Sequence, residues 1–191
     1  AIIHAVGLDA NDVDVIAKAK AKVVWSPRTN IDLYGNTAPV TLLKTMGVTI
    51  ALGTDWLASG SMNVLRELAC ADSLNEKYFD KAFDDKALFE MATTNAAVAL
   101  GIESQVGSLA PGLLADITIF SAAAGKDYRA VIGAGVEDVL LVLRGGKPLY
   151  GEASLVDALG TGTTCAALDV CKTEKKVCVD TPGVTLADMQ T

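Results

Sequence analysis

An aspartate closes an apolar run in Val48-Thr-Ile-Ala-Leu-Gly-Thr-Asp-Trp56. Val48 to Leu52 reads as a strand buried on both faces, as in a parallel sheet covered by helices. Gly53 allows a turn or a close approach of the backbone, and Asp55 falls where the strand passes into a loop. In α/β barrels that edge is where chemistry is done; the alternative is a side chain capping the next helix. His4, the single histidine of the chain, stands at the end of another strand-like segment. An imidazole there can ligate a metal, or hydrogen-bond an attacking water or a substrate; the alternative is a purely structural hydrogen bond. Arg28 and Asn30 follow a further strand and face the same edge. Arg28 can hold a substrate carboxylate bidentately or pair with Asp32 at the surface. Trp25 and Trp56 can wall a pocket or fill the core. Ser59 can contact a substrate, whereas Ser61 reads as the N-cap of the next helix.

The elements that must position these residues follow in order. Ala1 to His4 is strand-like, and a helix capped by Asn11 or Asp12 runs to about Ala21, with Val13, Ile16 and Ala17 on one face. Lys22 to Ser26 is the next strand, ended by Pro27. Arg28 to Asn36 reads as a polar loop from its turn residues Asn30, Asp32, Gly35 and Asn36. Thr37 caps a helix over 38–46, and Gly47 stops it. Beyond Asp55 the pattern predicts helices from Met62 to about Leu74 and from about Lys86 to Leu100. This β-α-β-α-β order is that of parallel strands joined by crossover helices. The character changes near Val106. Leu113 to Phe120 and Val136 to Arg144 read as strands, and Gly145-Gly146 as a hairpin turn into Lys147 to Tyr150. The expected organisation is residues 1–104 as an α/β unit, 105–159 as a β-sandwich segment and 160–191 as a cysteine-containing surface tail.

Composition narrows the class. A net charge of −7 without a basic stripe excludes a nucleic-acid surface. No apolar run reaches the roughly 20 residues that span a bilayer. Cys165, Cys171 and Cys178 crowd a polar tail at spacings that match no zinc pattern. They predict that two of the three are bonded and favour a periplasmic or extracellular location, with a cytoplasmic one as the alternative; Cys70 is expected buried and reduced. The chain opens directly into apolar, strand-like sequence, which reads as one piece of a larger protein.

Four blocks then carry a resemblance. His4-Ala-Val-Gly-Leu8, Trp25-Ser-Pro-Arg-Thr-Asn30 and Gly53-Thr-Asp55 resemble the sixth-, seventh- and eighth-strand segments of metal-dependent amidohydrolases. The fourth block joins Ala92-Thr-Thr-Asn-Ala-Ala, Leu100-Gly, Val106-Gly-Ser-Leu-Ala-Pro-Gly112 and Ala115-Asp116. It is similar to the closing signature of that family, in its deaminase, chlorohydrolase and imidazolonepropionase-like branches. The resemblance covers roughly residues 1 to 155. It implies an α/β fold: strands six to eight of a TIM (β/α)8 barrel with their helices, beside part of a small β-sandwich.

The resemblance also implies a reaction. Metal-activated water hydrolyses a C–N bond in a cyclic amide, amidine or deamination substrate. By that likeness Asp55 is a metal ligand and proton carrier, and His4 a ligand or catalytic hydrogen-bonding group. The metal is a divalent ion, zinc first. Trp25, Arg28, Asn30, Trp56 and Ser59 become substrate-binding candidates. The family's other ligands fall upstream of Ala1, so the expected partners are a small-molecule substrate and the missing N-terminal half of the barrel, with a homo-oligomer as a further option. The alternative is an inactive chain of the same fold with a structural or binding role.

Overall fold

The computed structural model describes residues 1–160, 164–179 and 186–189. The chain divides into two compact units, Ala1–Ser108 and Leu109–Thr191.

The first unit is built on a three-stranded parallel sheet in the order β1 (Ile2–Ile3), β2 (Val23–Trp25), β3 (Ile50–Leu52). Ile2 pairs with Val23, and Trp25 with Leu52. The strands are short and apolar because helices cover them. Val23, Trp25, Ile50 and Leu52 are all buried, each such side chain contributing about 1.5–3 kcal/mol by leaving water. Helix α1 (Ala10–Lys18) starts two or three residues earlier than its sequence suggests. Asp9 is the N-cap, and it forms a reciprocal capping box with Asp12. Its carboxyl is held below the usual aspartate range by the main-chain N–H groups of Asp12 and then Asn11.

The segment expected as a polar loop after Pro27 is instead helix α2 (Pro27–Tyr34). Proline at the first helical position sets φ for the turn and lacks only an N–H that would have no partner. Gly35, left-handed at φ 64°, ends the helix. The apparent turn residues Asn30 and Asp32 therefore lie inside a helix. Thr37 does not cap the next one. It accepts the Trp25 indole N–H at 2.7 Å, and α3 (Val40–Thr45) begins after Pro39.

Helix α4 (Val64–Tyr78) is capped by Asn63, whose side chain accepts from Arg66 N–H. Ser61, expected in that role, has other partners. The long helix expected to end at Leu100 breaks at Thr93 into α5 (Asp85–Ala92) and α6 (Thr94–Leu100). Thr93 has a non-helical backbone, φ −128° and ψ −96°, and its hydroxyl donates to Phe89 O. Asn95 of α6 donates from Nδ2 to Ile50 O at 3.0 Å.

The second unit is one five-stranded antiparallel sheet in the order β4-β5-β6-β8-β7. Its strands are β4 (Ile117–Phe120), β5 (Val139–Arg144), β6 (Lys147–Glu152), β7 (Thr164–Val170) and β8 (Thr173–Val179), with helices α7 (Tyr128–Ile132), α8 (Ala153–Leu159) and α9 (Leu186–Met189). Gly145 and Gly146, both at positive φ, form the two-residue turn between β5 and β6. The Gly145 N–H donates to Asp116 Oδ1, which gives Asp116 a structural place.

The expectation of a surface tail from Gly160 is corrected. Residues 164–179 form a hairpin that pairs with β6. Lys175 allows this, because its buried ammonium donates to Val139 O at 3.1 Å and Glu137 O at 3.2 Å and faces Glu152 Oε1 at 3.6 Å. Cys165 and Cys178 stand opposite each other and are joined by a disulfide, leaving Cys70 and Cys171 free. Residues 161–163, at the start of the expected tail, and 180–185, 190 and 191 lie outside the described residues.

Candidate functional site

His4 and Asp55 meet at one end of the parallel sheet. His4 continues the ladder with its N–H on Val24 O at 3.0 Å, and then the chain turns: Ala5 N–H donates back to Ile3 O around His4, whose φ is 67°. That is a γ-turn in its strained form. Asp55 is also left-handed, at φ 55°. Positive φ is uncommon outside glycine, and His4 and Asp55 are two of nine non-glycine residues that adopt it among those described. The imidazole Nε2 lies 3.7 Å from Asp55 Oδ2, and both side chains remain about a quarter exposed.

Asn30 fixes the imidazole. Its Nδ2 donates to the His4 carbonyl at 3.2 Å, and its Oδ1 lies 3.1 Å from His4 Nδ1. A carbonyl only accepts, so the amide NH₂ must face it and the amide oxygen must face the ring. Nδ1 then carries a hydrogen, and Nε2 is the ring atom that faces Asp55. A histidine that donates through one ring nitrogen so that the other can bind a metal shows this pattern.

The pair suits a divalent ion. At zinc bond lengths, a nitrogen and an oxygen on one ion lie no more than about 4.3 Å apart; the separation here fits. Two ligands are fewer than the three protein ligands of catalytic zinc centres. Among the described residues, no cluster of three or more His, Cys, Asp or Glu side chains is placed to hold a metal.

Behind Asp55 the loop folds back on itself. Gly53 N–H donates to Trp25 O, Ser61 N–H to Thr54 O, and Gly60 N–H to Trp56 O. Gly53 is required by close approach: a Cβ there would lie 2.7 Å from Val24 Cγ1. The first turn of α2 abuts this loop. Arg28 Nε donates to Ser61 Oγ at 3.0 Å, Arg28 N–H to Glu67 Oε1 at 2.9 Å, and Thr29 and Ser59 share a hydroxyl contact at 3.3 Å.

The candidates thus separate. His4, Asn30 and Asp55 come together. Ser59 and Arg28 belong to the support of the Asp55 loop, and Arg28 spends its Nε on Ser61. Trp25 is fully buried in the core, tilted against Phe79. Trp56 is 68% exposed on the loop next to Asp55. Two residues escape the sequence reading. Tyr34, on the last turn of α2, sets its ring edge-on to His4 with centroids 6.1 Å apart. Glu67 looks like any surface glutamate of a helix, yet it is completely buried. The Cys70 thiol, one turn along α4, is pushed up by burial and then by Glu67, with Arg28 opposing. A cavity of about 240 Å³ lies elsewhere, beside the start of β3, lined among others by Lys44, Val48, Ile50, Phe83 and Asn95. Neither His4 nor Asp55 borders it. No helix among the described residues is long and apolar enough to cross a membrane.

A parallel α/β unit with an imidazole and a carboxylate converging at one sheet edge defines the class. Residues 1–149 match the Amidohydrolase family, and the chain belongs to it. It is 36% identical over 118 residues to a 5-methylthioadenosine/S-adenosylhomocysteine deaminase of Teredinibacter turnerae, covering 60% of this chain and 27% of that one. It is 37% identical over 121 residues to a 5'-deoxyadenosine deaminase of Methanothermobacter thermautotrophicus, covering 62% and 28%. The crystal structure of an adenosine deaminase from Xanthomonas campestris with bound zinc superposes with a TM-score of 0.71 at 27% identity, over 76% of this chain and 36% of that one. The chain therefore corresponds to well under half the length of these relatives. Its fold is mixed α/β of the same class, with three parallel strands and no closed barrel among the described residues.

Proposed function

We propose that this chain supplies the His4, Asn30 and Asp55 edge of a (β/α)8 hydrolase that removes an amino group from the adenine ring of a small nucleoside. The observation that carries the reading is the 3.7 Å approach of His4 Nε2 to Asp55 Oδ2, with the imidazole tautomer set by Asn30. The names of the relatives support the substrate class: each acts on adenosine or a derivative altered at the 5' position.

His4 Nε2 and Asp55 Oδ2 would hold a divalent ion, zinc by the Xanthomonas structure. Such an ion lowers the pKa of a bound water toward neutrality. Asp55 accepts the proton of the attacking water and hands it to the departing nitrogen, the work of a general acid–base group within reach of both. Asn30 keeps His4 Nδ1 protonated so that Nε2 stays available. Tyr34, edge-on to His4, and Trp56, next to Asp55 in the chain, are exposed aromatics of a kind suited to a planar base. The remaining ligands and strands would come from outside this chain, since among the described residues β1 and β3 each have a single strand neighbour and such edges invite pairing. The Cys165–Cys178 disulfide supports an oxidising compartment.

The test is the complete gene product assayed for zinc content and for ammonia release from adenosine, 5'-deoxyadenosine and 5'-methylthioadenosine. About one zinc per chain and ammonia from at least one nucleoside are expected. Protein free of zinc that releases no ammonia from any of them, even after zinc is supplied, overturns the reading. The 191-residue chain alone is expected to bind zinc weakly, for want of a third ligand.

A further inference from the structure

The first turn of α2 touches His4 and the loop that follows Asp55. Asn30 grips His4 at two points, while Arg28 and Thr29 reach the loop that follows Asp55. Behind this turn lies Glu67 of α4, a fully buried carboxylate that the proposed reaction does not use. Each of its oxygens serves a different element. Oε1 accepts the main-chain N–H of Arg28 at 2.9 Å, and Oε2 accepts the Ser61 hydroxyl at 2.5 Å. Ser61 in turn accepts from Arg28 Nε at 3.0 Å, and its main-chain N–H donates to Thr54 O, the carbonyl directly before Asp55, also at 3.0 Å.

The polarity of this ring is fixed. Arg28 only donates and a carboxylate only accepts, so the one hydroxyl hydrogen of Ser61 must go to Glu67. A buried carboxylate is unfavourable unless its oxygens are matched by donors, and the matched ring holds three segments at set distances. The loop gains little from packing at its tip, where Trp56 and Leu57 are exposed, and Asp55 itself is strained. We propose that Glu67 is the positioning residue of the site: by locking Ser61 it fixes the Thr54 carbonyl, and so holds Asp55 at its distance from His4. The inference rests on His4 and Asp55 being the site, and on neither the metal nor the substrate.

Hydrogen exchange of the full chain tests it. Gln in place of Glu67 keeps the size but presents an NH₂ to one of two donors. Glu67→Gln is expected to speed exchange at Gly60 and Ser61 about tenfold, as for loss of one charge-assisted hydrogen bond. Val23, whose N–H is bonded to Thr49 O within the sheet, should not change. The single histidine gives a second readout. Its Nε2 resonance, which senses Asp55, should shift in Glu67→Gln, while Nδ1, held by Asn30, stays. Should Glu67→Gln not fold, Ser61→Ala removes the same link without touching the carboxylate and is expected to behave alike. Acceleration spread equally over Val23 and the loop, or a loop and an Nε2 signal unmoved, overturns the proposal. Absence of zinc and of ammonia release, with these amide effects present, would instead count against the hydrolase reading alone.

Discussion

The two units of the chain differ in how far they rely on buried polar groups. In the first, Thr29, Asn30, Ser59, Ser61, Glu67 and Asn75 are buried with their hydrogen-bonding groups turned on other side chains or on the backbone; in the second, Lys175 is the buried polar residue among those described. Its role is to tie β8 to β5. Satisfied polar networks specify a single geometry, and half-satisfied ones are costly. The first unit uses that specificity to place His4 and Asp55 on a sheet of three short strands. The second builds a five-stranded antiparallel sheet and cross-links its β7–β8 hairpin with a disulfide. The difference teaches where each unit should be sensitive: the first to loss of a hydrogen-bonding atom, the second to loss of a cross-link.

The largest expected effect falls on the first unit. In the complete protein, Asp55→Asn keeps the side-chain shape and removes the carboxylate that, in the proposed reaction, binds the metal and carries the proton. Turnover of the nucleoside should fall by about 10³-fold or more, the scale for loss of a key electrostatic group, with the melting temperature little changed. Near-normal turnover would break the contrast, because the strained pair would then have no catalytic use.

The converse experiment addresses the second unit. The Cys165–Cys178 link closes a loop of sequence separation 13, and loops of that size contribute about 3 kcal/mol through the unfolded state. Replacing both cysteines by Ala should speed exchange of the β7 and β8 amides by roughly two orders of magnitude on that figure. The amides of β2 should be unaffected. Equal acceleration in both sheets would show that the units do not open independently.

A glycine pair sharpens the comparison inside the first unit. A Cβ at Gly60 would lie 2.0 Å from Thr54 O and 2.9 Å from Thr29 Oγ1, whereas Gly7 has open space around it. Gly60→Ala should destabilise by about 1–3 kcal/mol as overpacking does and should displace Asp55. Gly7→Ala should be close to neutral. Chemical denaturation of the two variants distinguishes a loop built to a fixed shape from one that yields.

Much of this was legible in the sequence, for reasons that can be named. β2 and β3 announce themselves because strands covered on both faces are continuously apolar, and Gly53-Thr-Asp55 marks where β3 stops. The Gly145-Gly146 turn was legible because a two-residue hairpin needs positive φ at both positions. Helix α2 was hidden because Asn30, Asp32 and Gly35 are turn formers in most settings, and Pro27 serves equally to end a strand and to begin a helix. The β7–β8 hairpin was hidden because its buried lysine looks like a surface residue; the carbonyls that satisfy it lie 36 and 38 positions away. Glu67 was missed for the same reason. Its partner Arg28, 39 positions away, becomes a neighbour only once α2 packs near α4.

The smallest expected effect concerns the two free thiols, one in each unit. Cys70 sits on α4 beside the buried ring of Arg28, Ser61 and Glu67, and its thiol is pushed up first by burial and then by the Glu67 charge, with Arg28 pulling the other way. Cys171 is exposed at the β7–β8 turn. Alkylation proceeds through the thiolate and needs access. Both factors disfavour Cys70, so at mildly alkaline pH iodoacetamide should modify Cys171 at least about tenfold faster. Raising the pH should narrow the gap, since the proton held on Cys70 is released only above the usual thiol range. The Glu67 contribution is separable. In Glu67→Gln the charge that helps keep Cys70 protonated is gone, so Cys70 should react faster than in the parent while Cys171 is unchanged. Peptide mapping of the alkylated chain gives both rates in one experiment. A Cys70 rate that matches Cys171 in the parent would mean that α4 does not shield its inner face, and the contrast between a unit organised by buried polar contacts and one organised by a cross-link would lose its physical basis.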